Sequence, residues 1–263
     1  MDMGLKGKVA IVTGGSEGIG KAAAQSLAAE GASVVICARR ADVLEQTVSD
    51  IKAATGGEVT AIPTDVTDPD AIQNLIDKTI EKYGKLDILV NNAGTSAAGL
   101  FEEVSDETWR YDIELKLFGA INCTRAALPH LKANGGGRII NITTPGGKAP
   151  GPRSVPTSVS RAAGIALTKE LSKDYAADNI LVNTVCIGLI KSGQHERRWQ
   201  AAHEKDSSVT LEAWYENMGK NVPIGRVGEA SEAGDLICFL ASERASYITG
   251  TSVNVDGGTA AVI

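Results

Sequence analysis

A run of glycines is the first place in this chain where residue type and spacing could do chemistry. Thr13-Gly14-Gly15-Ser16-Glu17-Gly18-Ile19-Gly20-Lys21 follows an apolar stretch and precedes one with helical spacing. Without Cβ atoms the backbone can turn sharply there and approach a phosphate. The helix behind it offers N-terminal amides and the positive end of its dipole, so the chemistry indicated is pyrophosphate binding. Gly15-x4-Gly20-Lys21 also approaches the loop of nucleoside triphosphatases, but Ala22 stands where that loop needs a Ser or Thr for magnesium. The triphosphatase reading is rejected on that residue. Cys37, Cys123, Cys186 and Cys238 form no CxxC pair and lie in apolar stretches, so they read as reduced core thiols. His130, His195 and His203 lack metal-ligand spacing with cysteines or carboxylates, and no metal is expected.

The elements that must carry the glycine loop alternate along the chain. Short β-rich runs cover 8–13, 33–38, 59–63, 86–91, 138–142, 181–186 and 252–255. Helical spacing covers 18–30, 41–55, 69–83, 106–133, 159–177 and 230–241. Asp68 is placed to cap a helix with Pro69 at its first position, and Gly31 follows Glu30 where a helix-ending glycine belongs. Val9-Ala10-Ile11-Val12 and Val34-Val35-Ile36-Cys37 are continuously apolar, as strands buried on both faces of a parallel sheet are. Strand–helix alternation then gives right-handed βαβ units. The expected fold is a doubly wound, Rossmann-type α/β sandwich of three layers, with about seven strands and its ligand beyond their carboxyl ends.

Composition narrows the function classes. The chain has 263 residues, 43% hydrophobic and 22% charged, which are ordinary globular values and fit a single domain. Its 26 basic and 32 acidic side chains give a net charge of −6, which disfavours a general binder of nucleic acid or acidic membranes. No apolar run is long enough to span a bilayer, and Met1 to Val9 has no signal-like apolar core. A cytoplasmic protein is the expectation.

The glycine loop has company. Gly14-x3-Gly18-x-Gly20, Asp65-Val66 after the third strand, Asn91-Asn92-Ala93-Gly94 after the fourth, Pro223-Ile224-Gly225-Arg226 and Val255-Asp256-Gly257-Gly258 occur in order. With them the chain resembles the short-chain dehydrogenase/reductase family from about Gly7 to Gly258. The resemblance implies a nicotinamide dinucleotide held by Gly14, Ser16, Glu17, Gly18, Ile19 and Gly20, and by Asp65 and Val66 at the adenine. It further implies Asn91, Ala93 and Gly94 along the cofactor, and Gly188, Ile190 and Ser192 at the nicotinamide amide, with Ile187 replacing a usual Pro. Arg39 and Arg40 follow the second strand, and Ala38 stands where a ribose-binding carboxylate would favour NAD. Guanidinium groups there suit a 2′-phosphate, so NADP is preferred to NAD. Glu17 argues the other way, because NADP binders of the family often carry a basic residue there.

The resemblance also locates the expected proton chemistry, and there the chain departs from the family. Thr157 stands at the family's Tyr, Arg161 at its Lys, Thr144 at its Ser and Lys116 at its Asn. Thr144 keeps a hydroxyl and Arg161 keeps a charge that could hold the cofactor's ribose hydroxyls, but an aliphatic hydroxyl is a far weaker acid than a phenol. None of the five tyrosines (Tyr83, Tyr111, Tyr175, Tyr215, Tyr247) is adjacent to the segment. Three groups are candidate replacement donors: Lys116, depressed in pKa if it faces Arg161 across the cleft, Lys148 after the fifth strand, and His195. The cations Lys116, Lys148, Arg153, Arg161, Lys191, Arg197 and Arg198 hint at an anionic or acyl-thioester small molecule as substrate. Residues 192–219 are the expected substrate lid, where Trp199, Trp214 and Met218 could line an apolar pocket or pack on their own helices.

Three functions follow: an NAD(P)-dependent oxidoreductase of carbonyls or alcohols with an atypical proton donor, a dinucleotide-binding sensor or oligomer partner without redox turnover, and a non-redox enzyme such as a lyase. Family membership favours the first. A homodimer or homotetramer is implied by the resemblance, and Ala162, Ala163, Gly164 and Ala166 could allow close helix packing between copies or onto the sheet.

Overall fold

Buried β-branched residues dictate the centre of the molecule. The computed structural model describes residues 2–263. Its strands are β1 (Val9–Thr13), β2 (Ser33–Ala38), β3 (Val59–Pro63), β4 (Ile88–Asn91), β5 (Gly137–Thr143), β6 (Ile180–Ile187) and β7 (Ser252–Val255). They form one sheet in the order β3-β2-β1-β4-β5-β6-β7, with every pairing parallel. Ile11 lies in register with Val35 on one side and Leu89 on the other. The strand order reverses between β1 and β4, so their carboxyl ends open a crevice flanked by diverging connections.

Helices cover both faces. Ala10, Val12, Val34 and Ile36 turn toward α1 (Gly18–Ala29), α2 (Ala41–Thr55) and α9 (Ala230–Ala241). Ile11, Val35 and Leu89 turn toward α3 (Pro69–Tyr83) and the later helix of the 106–133 region. Each such buried Ile, Leu or Val contributes roughly 1.5–3 kcal/mol. Asp68 caps α3 by accepting from Asp70 N–H at 2.9 Å, with Pro69 at the first position. All four cysteines are buried and unbonded, and burial pushes the Cys123 and Cys238 thiols up to about 12. They are inert core groups.

Two elements differ from the sequence expectation in ways that matter to the site. The helix expected over 106–133 is α4 (Asp106–Ile113), one π-helical turn (Glu114–Phe118) and α5 (Gly119–Ala133). The helix expected from Val159 is α6 (Thr157–Asp174), which begins two residues earlier and so takes Thr157 into its first turn. A buried polar ladder ties α6 to the sheet. Asn91 Nδ2 donates to Asn141 Oδ1 at 2.9 Å, Asn141 Nδ2 donates to Thr168 Oγ1 at 2.8 Å, and Thr168 and Thr184 share a hydroxyl contact of 2.7 Å. Gly164 of α6 faces Thr143 of β5, where an added Cβ would lie 3.4 Å from it, so this small residue packs on the sheet. The 192–219 segment carries α7 (Gly193–His203) and α8 (Leu211–Gly219). No described helix is long and apolar enough to cross a membrane.

Candidate active site

A cleft of about 880 Å³ lies beyond the carboxyl ends of the central strands. That volume is at the upper end of the range for small-molecule and cofactor sites. Its nucleotide half is built by the glycine loop. Gly14 has φ +63, and a Cβ on it would lie 2.9 Å from Ala93 Cα; a Cβ on Gly20 would lie 2.2 Å from Gly14 O. These glycines let β1, α1 and the end of β4 close on one another. Thr13 and Asn92 lock the junction. Thr13 Oγ1 accepts from Asn92 N–H at 2.9 Å and Ala93 N–H at 3.0 Å, and Asn92 Nδ2 donates to Thr13 O at 2.9 Å and Gly14 O at 3.0 Å. The first turn of α1 holds no acidic residue, and the N-cap Glu17 makes no side-chain cap but turns its carboxylate to Arg40 at 2.8 Å, so no side chain caps the amides of this helix end.

Most of the expected cofactor residues line this cleft: Gly14, Ser16, Glu17, Gly18, Ile19, Arg39, Arg40, Asp65, Val66, Ala93, Gly94, Arg161, Gly188, Ile190 and Ser192. Two do not. Asn91 turns into the sheet, where the polar ladder spends its amide, and Gly20 acts one layer behind the wall as the loop's close-packing glycine. Arg40 is paired with Glu17 at 2.8 Å, and Glu17 also faces Arg197 of α7 at 3.6 Å. Arg39 donates to Tyr111 Oη at 3.3 Å, a wall residue that the sequence did not single out.

The other half of the cleft holds the hydroxyls and cations. Thr144 and Thr157 line it. Lys116 does not. The π-helical turn carries its ammonium beneath the floor, so it does not face Arg161 across the cleft as expected but lies behind Thr157. Lys116 Nζ donates to Thr157 Oγ1 at 3.0 Å and to Asp112 Oδ1. Ala97 N–H also donates to Thr157 Oγ1, at 3.1 Å. A threonine oxygen has two lone pairs and one proton. Both lone pairs are taken, so the proton is the valence left to point into the cleft. Burial, and then the nearby Arg161 charge, lower the Lys116 pKa to about 8, while Asp112 opposes them.

Arg161 donates from Nη1 to Ile142 O at 2.7 Å, and its buried Nε has no partner. Burial lowers its pKa to about 10, so it stays charged at neutral pH. Its guanidinium reaches Gly94, where a Cβ would lie 2.7 Å from Nη2. A buried, charged, partly unpaired donor beside a glycine-lined floor fits ribose hydroxyls of a dinucleotide. The anion-ready α1 terminus and the two guanidinium groups after β2 fit its phosphates.

The other two candidate donors fare differently. Lys148 is outside the cleft, donating to Ser252 O at 2.7 Å and Asn254 Oδ1 at 2.8 Å, so it is corrected to a structural tie. His195 lines the cleft, with its pKa lowered by burial and by Arg198. The cationic wall expected from the sequence is largely neutralised, since Arg153 pairs with Glu103 at 3.0 Å, Lys191 with Glu229 and Arg197 with Glu17. Trp199 donates to Val209 O at 2.9 Å and stacks near His203, so it packs within its own segment rather than lining the cleft.

Known proteins share this architecture. A family model described as Enoyl-(Acyl carrier protein) reductase matches residues 14–260. The chain is 34% identical to the 3-oxoacyl-(acyl-carrier-protein) reductase FabG of Thermotoga maritima, covering 97% of this chain and 99% of that one. It is 33% identical to the oxidoreductase UcpA of Escherichia coli, covering 97% and 95%. L-Sorbose reductase from Gluconobacter frateurii, solved with NADPH and L-sorbose, superposes with a TM-score of 0.95 at 32% identity, covering 100% of both chains. Sequence similarity and overall superposition thus agree along nearly the whole chain, and the protein belongs to the short-chain dehydrogenase/reductase family.

Proposed function

We propose that this chain is an NADPH-dependent reductase of small-molecule carbonyl compounds in which Lys116 and Thr157 together replace the family's usual proton donor. The single observation that carries the reading is the saturation of Thr157 Oγ1 by Ala97 N–H and Lys116 Nζ, which aims its proton at the cleft. Bound along the cleft, the reduced nicotinamide supplies a hydride to the carbonyl carbon. Thr157 gives its proton to the carbonyl oxygen and takes one from Lys116, which is left as a neutral amine. With a pKa near 8, Lys116 can make that transfer close to neutral pH. Thr144, whose hydroxyl has no hydrogen bond among the described residues, is the second donor to the same oxygen. Arg161 holds the ribose and stays charged at neutral pH.

NADPH is favoured over NADH by Arg39 and Arg40 and by the absence of an acidic residue at Ala38. The carbonyl class is supported by the reductase names of the relatives, one acting on a 3-oxoacyl group and one crystallised with a sugar. An acyl thioester on a phosphorylated carrier is an anionic version of that substrate, and Arg198 beside His195 is a cleft-lining cation of the 192–219 segment with no carboxylate partner among the described residues. Residues 192–219 serve as the lid, and the family resemblance supports a homodimer or homotetramer. An aimed hydroxyl with a titratable cation behind it also favours turnover over a binding-only role.

The test is turnover of a 3-oxoacyl thioester and of L-sorbose with NADPH, alongside NADPH binding by fluorescence. Lys116→Met and Thr157→Val are expected to lose about 10²–10⁴-fold in kcat with binding kept, while Thr157→Ser keeps most of its activity. Full turnover by Thr157→Val contradicts the reading.

A further inference from the structure

Asp112 is a carboxylate with a relative exposure of 1%, and nothing above gives it a task. It sits on the last turn of α4 with both oxygens engaged. Oδ1 accepts from Lys116 Nζ, and Oδ2 accepts from Ser160 Oγ at 2.6 Å. Ser160 belongs to the first turn of α6, one residue before Arg161 and three after Thr157. The carboxylate therefore joins the α4 side of the site to the α6 side, directly beneath the hydroxyl that faces the cleft.

Its charge matters as much as its place. The groups facing Lys116 are Asp112 from its own helical run, Arg161 and the neutral hydroxyls of Thr157 and Ser160 from α6. Cys123 of α5 shares a small cavity with it, as a thiol raised to about 12 and hence neutral. Asp112 is thus the one anion against two buried cations. A buried ion pair is a poor device for stability alone, since apolar residues of similar volume often do as well or better. Here the pair lies one hydrogen bond from the cleft.

We propose that Asp112 is a positioning residue for the reduction: anchored by Ser160, it holds the Lys116 ammonium against Thr157 and keeps it charged until the proton is called for. This rests on the Lys116–Thr157 relay. In the ground state the proton stays on Lys116 because the carboxylate faces it. When negative charge develops on the substrate oxygen, the proton moves through Thr157, and Asp112 takes no part in the transfer beyond holding Lys116.

The experiment is an NMR titration of the full-length protein with isotope-labelled lysine, the Lys116 signal being the one missing in Lys116→Met. In the wild type its midpoint is expected near 8. Asp112→Asn is expected to lower that midpoint by about 1–3 units, the size of a contact charge effect. The falling limb of carbonyl reduction against pH should move down with it. An unmoved or raised midpoint in Asp112→Asn overturns the proposal. Ser160→Ala guards against misfolding of that variant. It keeps the charge but frees the carboxylate, and is expected to lower kcat about tenfold or more with NADPH binding unchanged. Wild-type kcat in Ser160→Ala overturns the anchoring role. Failure of the relay itself reads differently: Lys116→Met would then keep full turnover, whatever Asp112→Asn does to the titration.

Discussion

An aliphatic hydroxyl is a weak acid in water, but Thr157 is not placed as it would be in water. An ammonium and an amide both donate to its oxygen, which favours loss of its proton and leaves that proton one direction to go. Arg39 and Arg40 pose a second residue-scale question, because Arg40 already has an anion in Glu17. A 2′-phosphate must draw Arg40 from that carboxylate, an exposed pair that contributes little by itself. Alanine at both arginines should therefore weaken NADPH about 10–100-fold and leave NADH nearly unchanged, measured by fluorescence titration. Loss of both affinities alike would contradict this. At this scale the sequence was uneven. Arg39, Arg40 and Thr157 could be placed because each follows a recognisable strand or segment. Asp112 could not, since Arg110-Tyr111-Asp112-Ile113-Glu114 reads like any solvated helix face. Asn91 misled because its strand position says nothing about which partner claims its amide.

At the scale of elements, the glycine loop and the π-helical turn carry the site. The loop was legible: apolar strand, glycines, then helix. Gly20→Ala tests its close packing, because the new Cβ would sit 2.2 Å from Gly14 O. Overpacking of that kind typically costs about 1–3 kcal/mol, so NADPH affinity should fall about tenfold while the sheet stays intact by circular dichroism. Unchanged affinity would mean that the loop does not meet the phosphates. The π-helical turn was not legible, since a helix with one inserted residue keeps nearly the same apolar pattern on both sides. Its consequence is large, because it sets Lys116 under the floor rather than in the cleft. The start of α6 was missed for a related reason. Thr157 and Ser158, just after Pro156, look like a loop until the backbone shows that the helix takes them up with Pro156 as its N-cap.

For the whole molecule, the parallel sheet was the most legible feature, because strands buried on both faces write continuous apolar runs such as Val34 to Cys37. The packing of the 192–219 segment was the least, since Trp199 and Trp214 could have served a pocket or their own helices. On the proposed reading, a dinucleotide bound across β1, β4 and the 192–219 segment would link all these parts to folding. NADPH at a hundredfold excess over its Kd should add about 2.7 kcal/mol, which for a chain of this size raises Tm by roughly 5–10 °C. NADH at the same concentration should do much less. Equal shifts would remove the preference for the 2′-phosphate.

The proton path from Lys116 through Thr157 is tested most directly by the pH dependence of kcat/KM for carbonyl reduction in wild type and Lys116→Arg. Reduction needs the charged ammonium, so the wild-type rate should fall as pH rises through about 8. The arginine variant should be slow, with that limb gone, because a guanidinium does not release its proton there. A limb near 8 that survives in Lys116→Arg would assign the proton to another group and contradict the account.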